Sequence, residues 1–279
     1  MHNRKPDWLK VRLGGTEGFA RTKDIVRSHG LHTICSSGRC PNMAECWNRG
    51  TATFMICGDI CTRSCRFCNT QTGRPSPLNP DEPAQVAESI RLMGLRHAVI
   101  TSVDRDDLPD MGAGHWAETI MAVRRVNPRT TIEALIPDFQ GKTCLADIVI
   151  GAAPEIISHN METVRRLTPH IRSRARYDVS LALLRHIAGR QVTAKTGIML
   201  GLGETEEEVS ELMDDALSAG VSILTIGQYL QPSAANIPVS AYITPSQFEA
   251  YKTTGLKKGF RFVESGPLVR SSYYAEKHI

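Results

Sequence analysis

Residues 51–68 read Thr51-Ala52-Thr53-Phe54-Met55-Ile56-Cys57-Gly58-Asp59-Ile60-Cys61-Thr62-Arg63-Ser64-Cys65-Arg66-Phe67-Cys68. An apolar run at 52–57 has the length and β-branched content of a buried strand. Three cysteines within eight residues follow it directly, spaced by three and then two residues. A loop leaving a strand of a parallel α/β sheet lies at the carboxyl end of that sheet, where such folds build their active sites. Three thiolates on one loop can hold three corners of an iron–sulfur cubane and leave the fourth iron open to a small molecule. A structural zinc site wants four ligands, so this loop alone would be an incomplete one.

Outward from that stretch the chain alternates. Strands are expected at 52–57, 97–102, 130–136, 155–158, 193–200 and 222–229, and helices near 83–93, 115–126, 142–151, 161–167, 178–188 and 206–219. Strand starts are spaced by roughly 34 residues, about one βαβ increment. Thr205 and Glu208 form a capping-box pair, and Gly220 supplies the stop of that helix. Thr244, Pro245 and Gln247 announce a later helix. Six alternating units require a parallel sheet and are too few for a complete eight-stranded barrel. A partial barrel and a doubly wound sheet both satisfy this pattern. Residues 1–50 read as irregular, and Pro75, Pro77, Pro80 and Pro83 mark an extended loop.

The chain has 279 residues, 41% hydrophobic and 22% charged, with a formal net charge of +4. The absence of an apolar run of about 18 residues argues against a membrane span. The charge is too mild, and too little interleaved with aromatics, to indicate nucleic-acid binding; it suits docking on an acidic carrier protein. No signal or transit peptide is evident, so a prokaryotic cytoplasm is the expected location. Of eight cysteines, seven fall between residues 35 and 68, which reads as metal binding rather than a disulfide framework. Cys57 and Cys144 read as small buried hydrophobes.

A second group precedes the first: Cys35, Cys40 and Cys46, with four and five intervening residues. It again supplies three thiolates. A second iron–sulfur cluster is the expectation; a zinc site completed by His29 or His32, or a disulfide with a free thiol, is the alternative.

The Cys61–Cys65–Cys68 motif resembles that of the radical S-adenosylmethionine (SAM) superfamily. The two cysteine groups in this order resemble the lipoyl synthases. So do His159-Asn160-Met161-Glu162-Thr163, Leu135-Ile136-Pro137-Asp138-Phe139, Gly227-Gln228-Tyr229-Leu230-Gln231-Pro232 and the closing Arg270-Ser271-Ser272-Tyr273. The resemblance covers about residues 8–275. It implies a partial (β/α)6 TIM-like barrel at 51–232, an N-terminal extension at 1–50 carrying auxiliary-cluster ligands, and a C-terminal extension at 233–279, in one structural unit. It implies two [4Fe–4S] clusters: one on Cys61, Cys65 and Cys68 that chelates SAM, and an auxiliary one on Cys35, Cys40 and Cys46. Ser272 is the implied fourth auxiliary ligand, with Ser271 as fallback. SAM contacts are expected from Phe67, Thr101, Asp104, Asn160, Gly201, Glu204, Gln228 and Tyr229. No protein group is expected as a general base.

The implied reaction inserts sulfur at carbons 6 and 8 of a protein-bound octanoyl chain. Those C–H bonds are beyond polar catalysis. A 5′-deoxyadenosyl radical would break them, and the auxiliary cluster would donate the sulfur. Implied partners are an octanoylated lipoyl carrier domain (2-oxoacid dehydrogenase E2 or glycine cleavage H protein), a reductant such as flavodoxin or ferredoxin, and an iron–sulfur carrier that rebuilds the cluster. Arg270 could hydrogen-bond near that cluster, and Arg63 and Arg66 could balance cluster charge. Met111 stands where the family carries glycine, and Ala234, Ala235 and Asn236 replace polar family residues, which leaves a paralogue with another sulfur-inserting or methylthio-transferring substrate as the rival reading. A zinc-binding structural or nucleic-acid-binding protein is the non-enzyme rival.

Overall fold

A computed structural model describes residues 5–11 and 17–278. The chain order begins with α1 (Glu17–Ser28), β1 (His32–Thr33), α2 (Ile34–Ser37), α3 (Met43–Asn48), β2 (Thr53–Ile56), β3 (Ile60–Cys61) and β4 (Gln71–Thr72). It continues through α4 (Glu82–Met93), β5 (His97–Ser102), α5 (Ala113–Val126), β6 (Thr131–Leu135), α6 (Thr143–Gly151), β7 (Ile156–Ser158), α7 (Thr168–Ile171) and α8 (Tyr177–Gly189). It ends with β8 (Thr193–Leu200), α9 (Glu206–Ser218), β9 (Ile223–Gln228), α10 (Pro245–Lys258) and β10 (Phe262–Gly266).

The main sheet runs β1-β2-β5-β6-β7-β8-β9-β10. The β1–β2 pair is antiparallel and the others are parallel. All six expected strands are present, in one sequential parallel order, which is the partial barrel rather than the doubly wound arrangement. Apolar strand residues such as Phe54, Ile100, Ile132, Ile157 and Leu224 share one buried core with Ile90, Trp116, Ile120, Leu184, Ile187 and Leu212 of the crossover helices. Every residue of β2 and β9 is buried, which matches their largely apolar sequences.

The capping box at α9 forms as read: Thr205 accepts from the Glu208 N–H, and Glu208 accepts from the Thr205 N–H. Gly220, at φ 83°, follows its last turn. Thr244 caps α10 by accepting from the Gln247 N–H.

Four expectations are corrected. Residues 161–167 are not helical. Glu162 sits at φ 65° and makes a parallel bridge to Ile198, so the chain leaves β7 extended and the only helical turn before α8 is Thr168–Ile171. Residues 17–48 are not irregular: α1 stacks Phe19 on Trp47 of α3, ring centroids 5.2 Å apart, and Thr22 Oγ1 donates to the Trp47 carbonyl at 2.9 Å. A strand not expected, β10, extends the sheet beyond β9; at five residues and half polar, its pattern was too weak to read. Cys144 is exposed on α6, whereas Cys57 is buried as expected.

The C-terminal segment that follows β10 ties back onto the N-terminal side of the sheet. Asn42 Nδ2 donates to the Leu268 carbonyl at 2.6 Å, and Thr53 Oγ1 to Ser272 Oγ at 2.8 Å. Tyr273 and Tyr274 hydroxyls both donate to Glu45, and Arg49 pairs with Glu276 at 2.6 Å. His278 ends inside the sheet beside Lys195 and Phe262.

Candidate cluster and cofactor site

At the carboxyl ends of the strands lies a cavity of about 560 Å³. Cys61, Cys65 and Cys68 line it from the loop after β2, and Cys35 and Cys40 line it from the α2 region. Ser271 and Ser272 of the C-terminal segment close it. Residues from both ends of the chain thus meet the loop quoted first.

The second-triad loop is held rigidly. Arg63, in its middle, is buried and gives its guanidinium to three carboxylates: Asp106 at 2.8 Å, Asp138 at 2.7 Å and Asp104 at 3.2 Å. Its charge is therefore paired with carboxylates that follow β5 and β6. Arg66 is exposed and donates to the His170 carbonyl at 3.3 Å. Asp104 stands beside Cys61, with 3.6 Å between Sγ and Oδ2, and its N–H donates to that sulfur at 3.4 Å. Burial outweighs Arg63 and raises the Asp104 carboxyl, while burial and Asp104 push the Cys61 thiol up to about 12.

The first triad shows the same electrostatics. Burial, then Cys35 and Cys40, push the Cys46 thiol up to about 12. Burial and Cys35 also raise Cys40. Neighbouring thiols that oppose each other's ionisation are a donor set waiting for a cation. The Trp47 indole N–H is buried with no oxygen or nitrogen partner and lies beside the Cys35 sulfur. Among the described residues, no three His, Cys, Asp or Glu side chains are gathered so as to hold a single metal ion. The chemistry of the second group, buried neighbouring thiols that ionise only with a cation to hold, fits a thiolate-bound cluster on the loop after β2.

The expected SAM contacts divide into two groups. Phe67, Thr101, Asp104, Asn160, Gln228 and Tyr229 all line the cavity. Asn160 donates from Nδ2 to Ser271 Oγ at 3.2 Å and keeps its buried Oδ1 without a partner, free for a ligand. Gln228 is spent: Nε2 donates to the Leu200, Tyr229 and Ala241 carbonyls, each at 3.0 Å, and Oε1 accepts from Ile243 N–H at 2.8 Å. The Tyr229 hydroxyl donates to Ile237 at 2.8 Å, which leaves only its ring for the cavity. Gly201 and Glu204 are not in the cavity wall. Glu204 accepts the N–H groups of Gly201 and Leu202 and so builds the turn after β8. Gly201 is required there because a Cβ would meet Gln228 Nε2 at 2.2 Å and the Ala241 carbonyl at 2.3 Å.

The cavity also holds residues that sequence reasoning did not single out. Glu162 lines it, and burial raises its carboxyl against the pull of Arg172. The helix expected at 161–167 would have turned Glu162 elsewhere; the quoted His159–Thr163 motif was the one available signal. Asp138 lies behind the loop: burial would raise it, but Arg63 holds it at about 2. Met111 has φ 51°, in the left-handed region that favours glycine.

His159 is buried between the Ile136 carbonyl and Ser180 Oγ, each at 2.9 Å, and burial with Arg172 lowers its pKa from 6.5 to about 4. Burial and Lys195 do the same to His278, from 6.5 to about 4. The unfolded chain therefore takes up these protons near 6.5 and the folded chain only near 4. The stabilisation they represent is complete above the unfolded value and is lost as pH falls through that window. Urea unfolding compared at about pH 7.5 and about pH 5 should show a loss of about 2 kcal/mol per histidine. Equal stability at the two pH values would refute buried neutral histidines.

Comparison with known proteins agrees with this geometry. The profile described as the radical SAM superfamily matches residues 55–216, more than half of the chain. Streptococcus suis SuiB bound to S-adenosylmethionine superposes with a TM-score of 0.58 over 80% of this chain and 53% of that one, at 11% identity, a likeness of fold alone. The class is thus a radical SAM enzyme, a superfamily whose members use SAM and a [4Fe–4S] cluster. Among curated relatives, a lipoyl synthase of Parabacteroides distasonis is 72% identical, covering 100% of this chain and 99% of that one. One of Porphyromonas gingivalis is 68% identical, with 100% and 99% covered. The chain belongs to the lipoyl synthase family.

Proposed function

We propose that this chain inserts two sulfur atoms, at carbons 6 and 8, into an octanoyl group carried on a protein domain, giving the lipoyl cofactor. The observation that carries the reading is one cavity lined by Cys61, Cys65 and Cys68, by Cys35 and Cys40 but not Cys46 of the first group, and by Ser271 and Ser272 of the closing motif. When bound, SAM and two [4Fe–4S] clusters supply a primary carbon radical and the sulfur atoms. The protein's own work is positional. Cys61, Cys65 and Cys68 hold the cluster that takes SAM, with Asp104, Asn160, Glu162, Thr101 and the rings of Phe67 and Tyr229 around the cosubstrate. Cys35, Cys40 and Cys46 hold the auxiliary cluster.

Ser272 is favoured over Ser271 as the fourth auxiliary ligand. Its Oγ accepts from Thr53, the residue that also hydrogen-bonds the Cys35 thiol, whereas Ser271 is turned toward Asn160. An oxygen ligand binds iron more weakly than thiolate does, which suits a cluster that must be dismantled. The octanoyl carrier is an E2 lipoyl domain or H protein, the reductant a flavodoxin or ferredoxin, and an iron–sulfur carrier restores the cluster. No helix among the described residues is long and apolar enough to cross a membrane, and we place the reaction in the bacterial cytoplasm.

Iron and acid-labile sulfide per chain, measured after anaerobic reconstitution, test the reading. Two cubanes require about eight irons with matching sulfide. About four irons would leave no sulfur donor and point to a paralogue. Zinc without iron would overturn the enzyme reading.

A further inference from the structure

Arg270 opens the closing motif, and its side chain enters the cavity on the side of the first cysteine group. It packs over bare Gly227 of β9, where a Cβ would meet the Val269 carbonyl at 2.1 Å and Arg270 Nη1 at 3.3 Å. Nη1 donates to the Val269 carbonyl at 2.7 Å. Among the described residues no carboxylate is recorded against it. Its charge neighbours are the Cys40 thiol, which would gain as a thiolate, and Lys5, a second cation.

Arg270 is half-buried; a guanidinium does not give up its proton, and a charge partly withdrawn from water gains from an anionic partner. The cavity's carboxylates do not relieve it. Asp104 and Asp138 are bound to Arg63, and Glu162 faces Arg172. In the first group Arg270 is the cation that acts on Cys40, while Cys46 feels both Glu45 and Arg49.

We propose that Arg270 is the counter-charge of an iron–sulfur cluster on Cys35, Cys40 and Cys46, and that it makes this cluster easier to reduce. The inference rests on the two-cluster reading above. A reduced cluster carries one more negative charge than an oxidised one, so a fixed cation beside it favours the reduced state.

The test uses the full chain with Cys61, Cys65 and Cys68 replaced by alanine, so that the titrated signal belongs to the first group alone. A mediated redox titration followed by electron paramagnetic resonance reads the potential. Arg270→Gln should shift the reduction equilibrium at least tenfold toward the oxidised cluster, about 59 mV for a one-electron couple. Arg270→Lys, which keeps the charge, should restore most of it. If Arg270→Gln instead loses its iron while Arg270→Lys keeps it, the need for the charge is equally supported. An unchanged potential in a fully loaded Arg270→Gln protein overturns the inference, and so does equal iron loss in both variants, which would mark a steric role. Iron is counted first in the parent chain with Arg270 intact: failure there to load about four irons would remove the cluster itself, a result separable from failure of Arg270's role.

Discussion

Alanine at Cys61, Cys65 or Cys68 is expected to abolish SAM cleavage, whereas alanine at Cys35, Cys40 or Cys46 is expected to spare it and stop lipoyl formation. The split follows from how the two groups are built. The second group lies on a loop organised by its own ion pairs, with Arg63 tied to Asp104, Asp106 and Asp138 at the ends of β5 and β6. None of those anchors involves the first group. The first group belongs to a separate small cluster of Cys35, Trp47 and Ala52, with Phe19 and Met43 packed against it. Asn69 Nδ2 donating to Ser37 at 2.8 Å is one thread between the loops, and it uses no thiol. Loss of one thiolate at the first group should therefore leave the SAM-binding half assembled. The readouts are 5′-deoxyadenosine and lipoyl product, measured separately. Deoxyadenosine from a Cys65→Ala variant would remove the SAM-cluster assignment. Lipoyl product from a Cys40→Ala variant would remove the sulfur-donor assignment.

Lys195→Met should cost the fold 3–5 kcal/mol, the usual range of about 3–5 kcal/mol for breaking one side of a buried pair. Lys195 and Glu133 are both fully buried, with Nζ 2.8 Å from Oε2. Burial would raise the Glu133 carboxyl, but Lys195 and then His97 hold it at about 2. Ser158 Oγ donates to its other oxygen at 2.8 Å. Removing the ammonium strands a carboxylate in the dry interior, which must either stay charged or take a proton far from its preferred pH. The melting temperature should fall by on the order of 10 °C. The double variant Lys195→Met with Glu133→Gln should recover much of the loss, because no unpaired charge then remains. A Lys195→Met protein within about 1 kcal/mol of the parent in urea unfolding would show that the pair is not the anchor its burial implies. The prediction reaches the site as well, since Lys195 also meets His278, the last described residue of the segment carrying Ser271 and Ser272.

What could be read directly was what the chain writes locally. The three-and-two spacing of Cys61, Cys65 and Cys68 is a property of eight consecutive residues. The six strands announce themselves because burial on both faces favours short, largely apolar or β-branched runs, and the α9 cap because Thr205 and Glu208 are neighbours on one turn. The departures come from partners distant in sequence. Gln228 and Tyr229 line the cavity, but the C-terminal extension takes polar atoms of both through Ala241, Ile243 and Ile237. Residues 161–167 had helical spacing, yet the bridge to Ile198 outbid it. Strand β10 is weak alone and exists because β9 offers it a parallel edge.

The sequence by itself determined the class of chemistry and the alternation of strands and helices that makes a parallel sheet, since each depends on spacing within a few residues or on periodicity. Only the tertiary structure decided that Ser272 rather than Ser271 stands with Thr53, that Arg63 is spent on carboxylates and Arg270 is not, and that the chain's end bolts into the barrel beside Lys195. Those outcomes turn on which buried polar or charged group finds a partner. Desolvation sets that requirement, and residues up to 219 positions apart satisfy it.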